Sequence, residues 1–161
     1  MEKGKYSFEY SVFNSEKDLN VEDAKLLKEA REMTQHAYAP YSHFYVGAIA
    51  KLSNGKTVSG SNQENASFPV GLCAERVLLS SATSLFPKVP IETIAISYKS
   101  DTVKSDHPVA PCGLCRQSLI EFEERLKSPI RLILAGTEGK VIVIERASDL
   151  LPLAFTSEEL L

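Results

Sequence analysis

The three cysteines of the chain lie in two short stretches, and each stretch opens an apolar helical pattern. The first stretch, "GLCAERVLL", contains Cys73, and the second, "PCGLCRQSL", contains Cys112 and Cys115. Apolar residues recur at helical spacing after both stretches, which predicts helices over 73–86 and 112–126. Residues three apart in a first helical turn face the same side, so the second helix presents two thiols together.

The rest of the chain alternates between one further amphipathic helix and several strand-like segments. Asn20 can cap a helix over 20–37, and the turn "SNGK" joins two strands into a hairpin. Strands are predicted over 43–52, 57–65, 91–99, 130–136 and 141–146. The order α-β-β-α-β-α-β-β predicts the α/β class, with helices packed on a mixed sheet. We interpret residues 1–19 as an N-terminal arm or edge strand and residues 20–161 as one domain.

Charge and composition argue against two classes of partner. The net charge is −3, and no helix carries the basic stripe that sequence-independent binding to nucleic acid requires. Hydrophobic residues make up 43% of the chain, but no apolar run is long enough to span a bilayer. The N-terminal residues contain no apolar signal-peptide region, so a cytoplasmic location is expected.

The cysteine pattern favours a metal site over a disulfide framework. An odd number of thiols in a cytoplasmic chain does not suit a set of paired disulfides. Thiols at helix N-termini are readily deprotonated, and three thiolates with one open position fit a catalytic zinc ion. Two alternatives remain open: a redox-active C-x-x-C pair, and a structural zinc site whose fourth ligand would be a histidine. His107 is the histidine best placed for that role.

Two charged residues follow Cys73 directly and suit the chemistry of a catalytic zinc site. Glu75 can take a proton from a water molecule at the open position and deliver it to a leaving group. Three thiolates leave zinc with a net negative charge, and an Arg76 guanidinium that donates to thiolate sulfur would offset it. The alternative roles are an acid that favours the helix N-terminus and a solvent-facing arginine.

Taken together, these motifs resemble the zinc nucleoside deaminases, in which a Cys-Ala-Glu or His-Ala-Glu motif precedes Pro-Cys-x-x-Cys. "CAER" and "PCGLCRQ" match those motifs, and "YAPYSHFYVGA", "SGSNQENASFPVGLCAER" and "LLPLAFTSEEL" are similar to further blocks of the small homotetrameric cytidine deaminases. The resemblance covers roughly residues 30–160. It implies a three-layer α/β/α sandwich with a mixed five-stranded sheet.

The resemblance also implies a reaction and a set of residue roles. The reaction is the zinc-dependent hydrolytic deamination of cytidine and 2′-deoxycytidine to uridine and 2′-deoxyuridine, with release of ammonia, in pyrimidine salvage. Water attacks C4 of the base, and Glu75 is the general acid and base. One zinc ion per subunit would be bound by Cys73, Cys112 and Cys115. The resemblance assigns contacts with the base to Phe44 and to backbone atoms of Ala74. It assigns contacts with the ribose 3′-hydroxyl to Asn62 and Glu64.

A homotetramer with shared active sites is a further implication of the resemblance. Ala66 and Phe68 would reach the site of one neighbouring subunit, and Phe155 would reach that of another. The chain departs from the family at Phe68, where tyrosine is common, so the hydroxyl near the ribose 5′ side is lost. Its N-terminal stretch of about twenty residues is also longer than is usual in the family.

Three other functions were weighed against cytidine deamination. The first is deamination of a modified cytosine nucleoside such as blasticidin S, which Asn62, Glu64 and Arg76 argue against. The second is a non-catalytic structural zinc module, in which Glu75 would be dispensable. The third is a polynucleotide deaminase, which a clasped 3′-hydroxyl disfavours because it leaves no path for a continuing chain.

Overall fold

The computed structural model of the protein describes residues 1–160, in which three helices pack on the two faces of one sheet. In chain order the elements are β1 Ser11–Phe13, α1 Val21–Met33, β2 Phe44–Leu52, β3 Thr57–Ser61, α2 Ala74–Leu85, β4 Ile91–Ser100, α3 Gly113–Leu126, β5 Arg131–Ala135 and β6 Val141–Ile144. Within these residues, no helix has both the length and the apolar character needed to cross a membrane.

The sheet is mixed, as predicted, and runs in the order β1-β6-β5-β4-β2-β3. β4 and β5 are parallel, and every other neighbouring pair is antiparallel. The predicted count of five strands is wrong, because the sheet has six. The additional strand is β1, in which Ser11 pairs with Val143 and Phe13 with Val141. It forms at the open edge of β6, where unpaired backbone groups favour a further strand.

Two apolar cores, one on each face of the sheet, confirm the three-layer arrangement. α1 contributes Leu26, Leu27 and Ala30 to one core, where they pack with Ile133 of β5. The other core joins α2 and α3 to the opposite face of the same strands. Its fully buried side chains include Leu52, Leu78, Ile94, Leu119 and Leu132. Both helices that carry the cysteines therefore lie on one side of the sheet.

Two elements end earlier than their sequence patterns indicate. Asn20 caps α1 as predicted, since its Oδ1 accepts from the backbone N–H of Asp23 at 2.8 Å. The α-helix gives way to a 3-10 turn at Thr34, whose hydroxyl donates to the carbonyl of Arg31 at 2.7 Å. β3 ends at Ser61 because the next residues form isolated bridges, which connect Gln63 to Tyr38 and Leu72.

A glycine in β3 fixes how closely the first turn of α2 approaches the sheet. A Cβ atom at Gly60 would lie 2.4 Å from the carbonyl oxygen of Ala74 and 2.6 Å from the backbone nitrogen of Leu78. Both atoms belong to helix backbone, which has no flexible end that could move aside. Glycine at this position therefore lets α2 rest directly on β3, and it sets the position of Cys73 and Glu75 above the sheet edge.

Gly60→Ala is accordingly expected to displace the first turn of α2. Overpacking of this kind typically costs about 1–3 kcal/mol of unfolding free energy. A urea titration would measure the loss of unfolding free energy. Gly113→Ala is the matched control, because a Cβ there meets nothing within 4 Å. Equal stabilities of the two variants would show that the close approach at Gly60 is not required.

Candidate active site

The N-termini of α2 and α3 converge and bring the three cysteines together. Cys73 and Cys112 are the N-cap residues of the two helices, and Cys115 lies in the first turn of α3. The Sγ atoms of Cys73 and Cys112 are 3.8 Å apart, and those of Cys112 and Cys115 are 3.5 Å apart. Neither cap cysteine makes a side-chain capping hydrogen bond, so both thiols are free for another role.

The thiol cluster fits zinc. Zn–S bonds of about 2.3 Å in a tetrahedron place sulfur atoms about 3.8 Å apart, close to the separations found here. All three ligand atoms lie within 4.8 Å of one another, and among residues 1–160 no histidine, aspartate or glutamate joins the group. His107 instead lies beside Asp106 and the hydroxyl of Tyr98. Three ligands with one open position suit a catalytic ion better than a structural one.

One of the three thiols, that of Cys73, loses its proton more readily than an ordinary cysteine. A hydrogen bond from Cys115 lowers the pKa of Cys73 to about 6, although burial opposes the shift. The same hydrogen bond, together with burial, raises the pKa of Cys115. This asymmetry means that Cys115 keeps its proton and donates it in a hydrogen bond to the sulfur of Cys73. A cation brought to the cluster would replace that proton as the partner of the thiolates.

A cavity of about 720 Å³ opens directly against the cluster. Its walls come from the start of β2, the segment between β3 and α2, and the carboxyl ends of β4 and β5. The lining includes Tyr41, Ser42, Phe44, Asn62, Glu64, Phe68, Cys73, Glu75, Ile96, Ser97, Tyr98, Val109, Cys112 and Ala135. The cavity is mostly apolar with a few polar groups, a composition typical of a small-molecule site.

Glu75 lies in this cavity beside the cysteines and is 5% exposed. Burial raises the pKa of its carboxyl group. A spacing of two residues in a helix would separate Cys73 and Glu75 by about 200° in rotation. Cys73 precedes the helix and has extended backbone angles, so the helical rotation does not apply and both side chains line the cavity. A buried carboxyl group of this kind can take up and release a proton.

Arg76 follows Glu75 but makes a weaker connection to the cluster than the sequence suggested. Its guanidinium makes no hydrogen bond to a cysteine sulfur among the described residues. Its positive charge still helps to lower the pKa of Cys73, but less than the Cys115 hydrogen bond, burial, the Glu75 charge and the Cys112 hydrogen bond affect it. Its influence on the cluster is therefore electrostatic and acts over a longer distance than a hydrogen bond.

The polar pair expected at the ribose is held in place by backbone groups. Oδ1 of Asn62 accepts from the N–H of Val46 at 2.7 Å, and its Nδ2 donates to the carbonyl of Phe44 at 2.8 Å. Oε2 of Glu64 accepts from the N–H groups of Tyr41 at 2.9 Å and Ser42 at 3.3 Å. Burial works against ionisation of Glu64, yet a hydrogen bond from the Ser42 side chain, followed by these two backbone bonds, holds its pKa below the usual value.

The remaining predicted contact residues are divided between the cavity and the surface. Phe68 is 74% exposed, packs edge-on against Tyr41 and lines the cavity of its own chain. Ala66 is exposed, and Phe155 is 59% exposed with its carbonyl held by Nε2 of Gln117 at 2.8 Å. Ala74 is the first residue of α2, is fully buried and does not line the cavity. Neither Ala66 nor Phe155 lines the cavity of the same chain.

Sequence reasoning missed two residues that shape the site. Tyr98 lines the cavity and stacks on Phe44, but its segment was interpreted only as a buried strand. Arg116 donates from Nε to the carbonyl of Pro111 at 2.8 Å and from a terminal nitrogen to that of Leu150 at 2.9 Å. It thereby anchors the turn that ends at Cys112. Its position directly after Cys115 was the one available signal.

Fold and site together define an α/β protein with a three-thiol zinc-type centre, a buried carboxyl group and one adjoining cavity. The family model "Cytidine and deoxycytidylate deaminase zinc-binding region" matches residues 20–127. The chain is 38% identical over 135 residues to the cytidine deaminase of Halalkalibacterium halodurans, covering 84% of this chain and 95% of that protein. The chain therefore belongs to the cytidine and deoxycytidylate deaminase family, and the recognition made from its motifs is confirmed.

Solved structures agree with this assignment. The crystal structure of cytidine deaminase from Burkholderia pseudomallei has a TM-score of 0.71 at 39% identity, covering 81% of this chain and 97% of that chain. Cytidine deaminase from Mycobacterium tuberculosis has a TM-score of 0.63 at 28% identity, covering 86% and 99%. The predicted fold class and the predicted class of enzyme, a hydrolytic deaminase, are thereby confirmed.

Proposed function

We propose that the protein catalyses the zinc-dependent hydrolytic deamination of cytidine and 2′-deoxycytidine to uridine and 2′-deoxyuridine. The observation that carries the proposal is the convergence of three thiols, the buried Glu75 carboxyl group and a cavity at two helix N-termini. The similarity to cytidine deaminases over most of the chain supports the choice of substrate. The role in the cell would be the salvage of pyrimidine nucleosides in the cytoplasm.

Cys73, Cys112 and Cys115 would hold one zinc ion per subunit. Zinc bound there would act as a Lewis acid that makes water a good nucleophile near neutral pH. Glu75 takes the proton of that water and passes it to N3 of the base as the water oxygen adds to C4. The same carboxyl group then takes the remaining proton of the hydroxyl added at C4 and delivers it to the amino group, so that the C–N bond breaks, ammonia leaves and the C4 carbonyl forms. Burial of Glu75 supports this role, because a raised pKa lies closer to the operating pH.

The other walls of the cavity fit a free nucleoside. Glu64 and Asn62 both line the cavity, where Oε2 of Glu64 accepts from backbone N–H groups and one of the two amide hydrogens of Asn62 is donated to the Phe44 carbonyl. An acceptor and a donor so placed suit the ribose 3′-hydroxyl, and Phe44 and backbone atoms at Ala74 would contact the base. A 3′-hydroxyl bound in this way favours a free nucleoside over a polynucleotide. Asn62 and Glu64 also argue against blasticidin S as the substrate.

We further propose that residues 20–161 form one catalytic domain and that residues 1–19 are an N-terminal extension. The proposed assembly is a homotetramer with shared active sites. The exposure of Phe68 and Phe155 supports this assembly, since large apolar side chains on a surface are often covered by a partner. Ala66 and Phe68 would contact the site of one neighbour, and Phe155 that of another.

An ultraviolet assay tests the proposal directly. Purified, zinc-loaded protein is mixed with cytidine or 2′-deoxycytidine, and loss of the cytidine absorption band is followed together with ammonia release. We expect both signals with the native protein and neither with Glu75→Gln. If zinc is bound at one ion per chain and neither nucleoside reacts, the proposal is wrong. A modified cytosine nucleoside would then be the next substrate to test. If it does not react either, a structural zinc module would be the remaining interpretation of the protein.

Arg76→Ala is expected to lower turnover without unfolding the protein. The positive charge of Arg76 makes a small contribution that lowers the pKa of Cys73, behind the effects of the Cys115 hydrogen bond, burial, Glu75 and the Cys112 hydrogen bond. Its loss would leave three thiolates with less compensation and make water at the site less acidic. The measurement is kcat with zinc content, and Arg76→Lys serves as the charge-conserving control. Unchanged rate and zinc content in Arg76→Ala would contradict the charge argument.

A further inference from the structure

We propose that Tyr98 is a positioning residue for the deamination, since its ring fixes the orientation of the Phe44 ring against which the base packs. The inference rests on the proposed function, in which Phe44 contacts the base. Both side chains line the cavity, yet Tyr98 lies on β4 and Phe44 on β2. Phe44 belongs to a sequence motif of the family, whereas Tyr98 belongs to none.

The backbone of Phe44 is already fixed by hydrogen bonds. Its N–H donates to Oγ of Ser42 at 3.1 Å, and its carbonyl accepts from Nδ2 of Asn62 at 2.8 Å. It also begins β2 in register opposite Ser100. The remaining freedom of Phe44 is therefore rotation of its side chain, which backbone hydrogen bonds do not restrain.

Tyr98 restrains that rotation. Its ring is stacked on the Phe44 ring with centroids 4.8 Å apart and planes at 10°. In the antiparallel pair, Tyr98 lies opposite Val46, so Phe44 is its diagonal neighbour on the same face of the sheet. Diagonal neighbours are within reach when both side chains are aromatic. The Tyr98 ring covers one face of the Phe44 ring. This contact fixes the orientation of the Phe44 ring at the cavity wall.

Tyr98 can serve as a fixed support because it is itself immobilised. It is only 3% exposed, and its hydroxyl donates to the carbonyl of Lys104 at 3.3 Å. His107 packs against the ring edge-on with centroids 6.0 Å apart. The loop between β4 and α3 therefore holds Tyr98, Tyr98 holds Phe44, and Phe44 meets the base.

The test is the effect of Tyr98→Leu on KM and on kcat with cytidine. Removal of the stack leaves Phe44 free to rotate, and an aromatic pair of this kind corresponds to about a 2- to 10-fold change in binding. We expect KM, and the inhibition constant of uridine, to rise by that factor. We expect kcat to stay unchanged, because packing on the base is the same in ground and transition states. Tyr98→Phe loses the hydrogen bond to the Lys104 carbonyl but keeps the ring, its burial and the stack, so its KM should stay near the native value.

A double-mutant comparison separates action through Phe44 from any other role. In the Phe44→Leu background, Tyr98→Leu should raise KM no further, since the ring it supports is gone. Tyr45→Leu is the matched control. It makes the same substitution at a tyrosine that follows Phe44 directly on β2 but does not line the cavity. If Tyr98→Leu lowers the melting temperature too far, Tyr98→Met replaces it with a flexible side chain of similar reach.

The outcomes are distinct. An unchanged KM in Tyr98→Leu would overturn the inference, as would an equal rise in KM in the presence and absence of Phe44. In either case, turnover of cytidine by the native protein would still support the proposed function. A native protein that turns over neither cytidine nor 2′-deoxycytidine would overturn both. A KM rise that depends on Phe44, is absent in Tyr98→Phe and leaves kcat unchanged would establish the positioning role.

Discussion

Glu75→Gln is expected to lower kcat for cytidine by at least about 100-fold, the lower end of what a positioned general acid or base contributes. Glutamine has the same shape as glutamate but cannot take a proton from water near neutral pH. The side chain is 5% exposed, so little water can enter to replace its function. Zinc content should be unchanged because the three thiols remain. The melting temperature should not fall, since removal of a buried charge also removes the cost of burying it.

Glu22→Gln is the matched control for this variant. Glu22 is the second residue of α1 and Glu75 the second residue of α2, and both are acids in a first helical turn. Each substitution removes an acid from a helix N-terminus, and Glu22→Gln also removes an ion pair with Nζ of Lys51 at 2.7 Å. Only Glu75 lines the cavity. We expect Glu22→Gln to retain full turnover. Similar kcat values for Glu75→Gln and the native protein would show that Glu75 is only a helix-stabilising acid.

The sequence was most informative where a repeating pattern or a motif carried the signal. The helices after Cys73 and Cys112 were predicted from their apolar spacing, and Asn20 from its capping chemistry. The meeting of the three cysteines could be anticipated because two helix starts with ligating side chains suit one metal ion. Glu75 could be anticipated for the same reason, since it belongs to the same helix start.

Contacts between segments far apart in the chain left no such signal. β1 has only three residues, so the sequence left residues 1–19 open between an arm and an edge strand, and only the pairing with β6 decides for a strand. The anchoring of Asn62 to the backbone of Phe44 and Val46 depends on the register of the β2–β3 hairpin. Tyr98 meets Phe44 through a diagonal relation across two strands, which periodicity along a single strand cannot reveal.

Cys112→Ser is expected to separate metal binding from folding, because it should change the two in opposite directions. Cys112 is exposed, so the substitution removes little packing, whereas Cys115 is fully buried. Serine is not ionised near neutral pH and is a poor zinc ligand. Even hydrogen-bond partners of metal ligands typically contribute about 10–100-fold to affinity or activity, so loss of a ligand itself should cost more than about 100-fold. Zinc content after dialysis and turnover should fall together.

The folding of the zinc-free protein provides the internal control. Cys112 is the N-cap of α3 and makes no capping hydrogen bond, whereas serine is among the preferred N-cap residues. The zinc-free Cys112→Ser protein should therefore be at least as stable as the zinc-free native protein, with a gain of up to about 1 kcal/mol in urea unfolding. Zinc should raise the melting temperature of the native protein much more than that of the variant, because binding only to the folded state stabilises it. An equal rise in both would place the zinc site elsewhere.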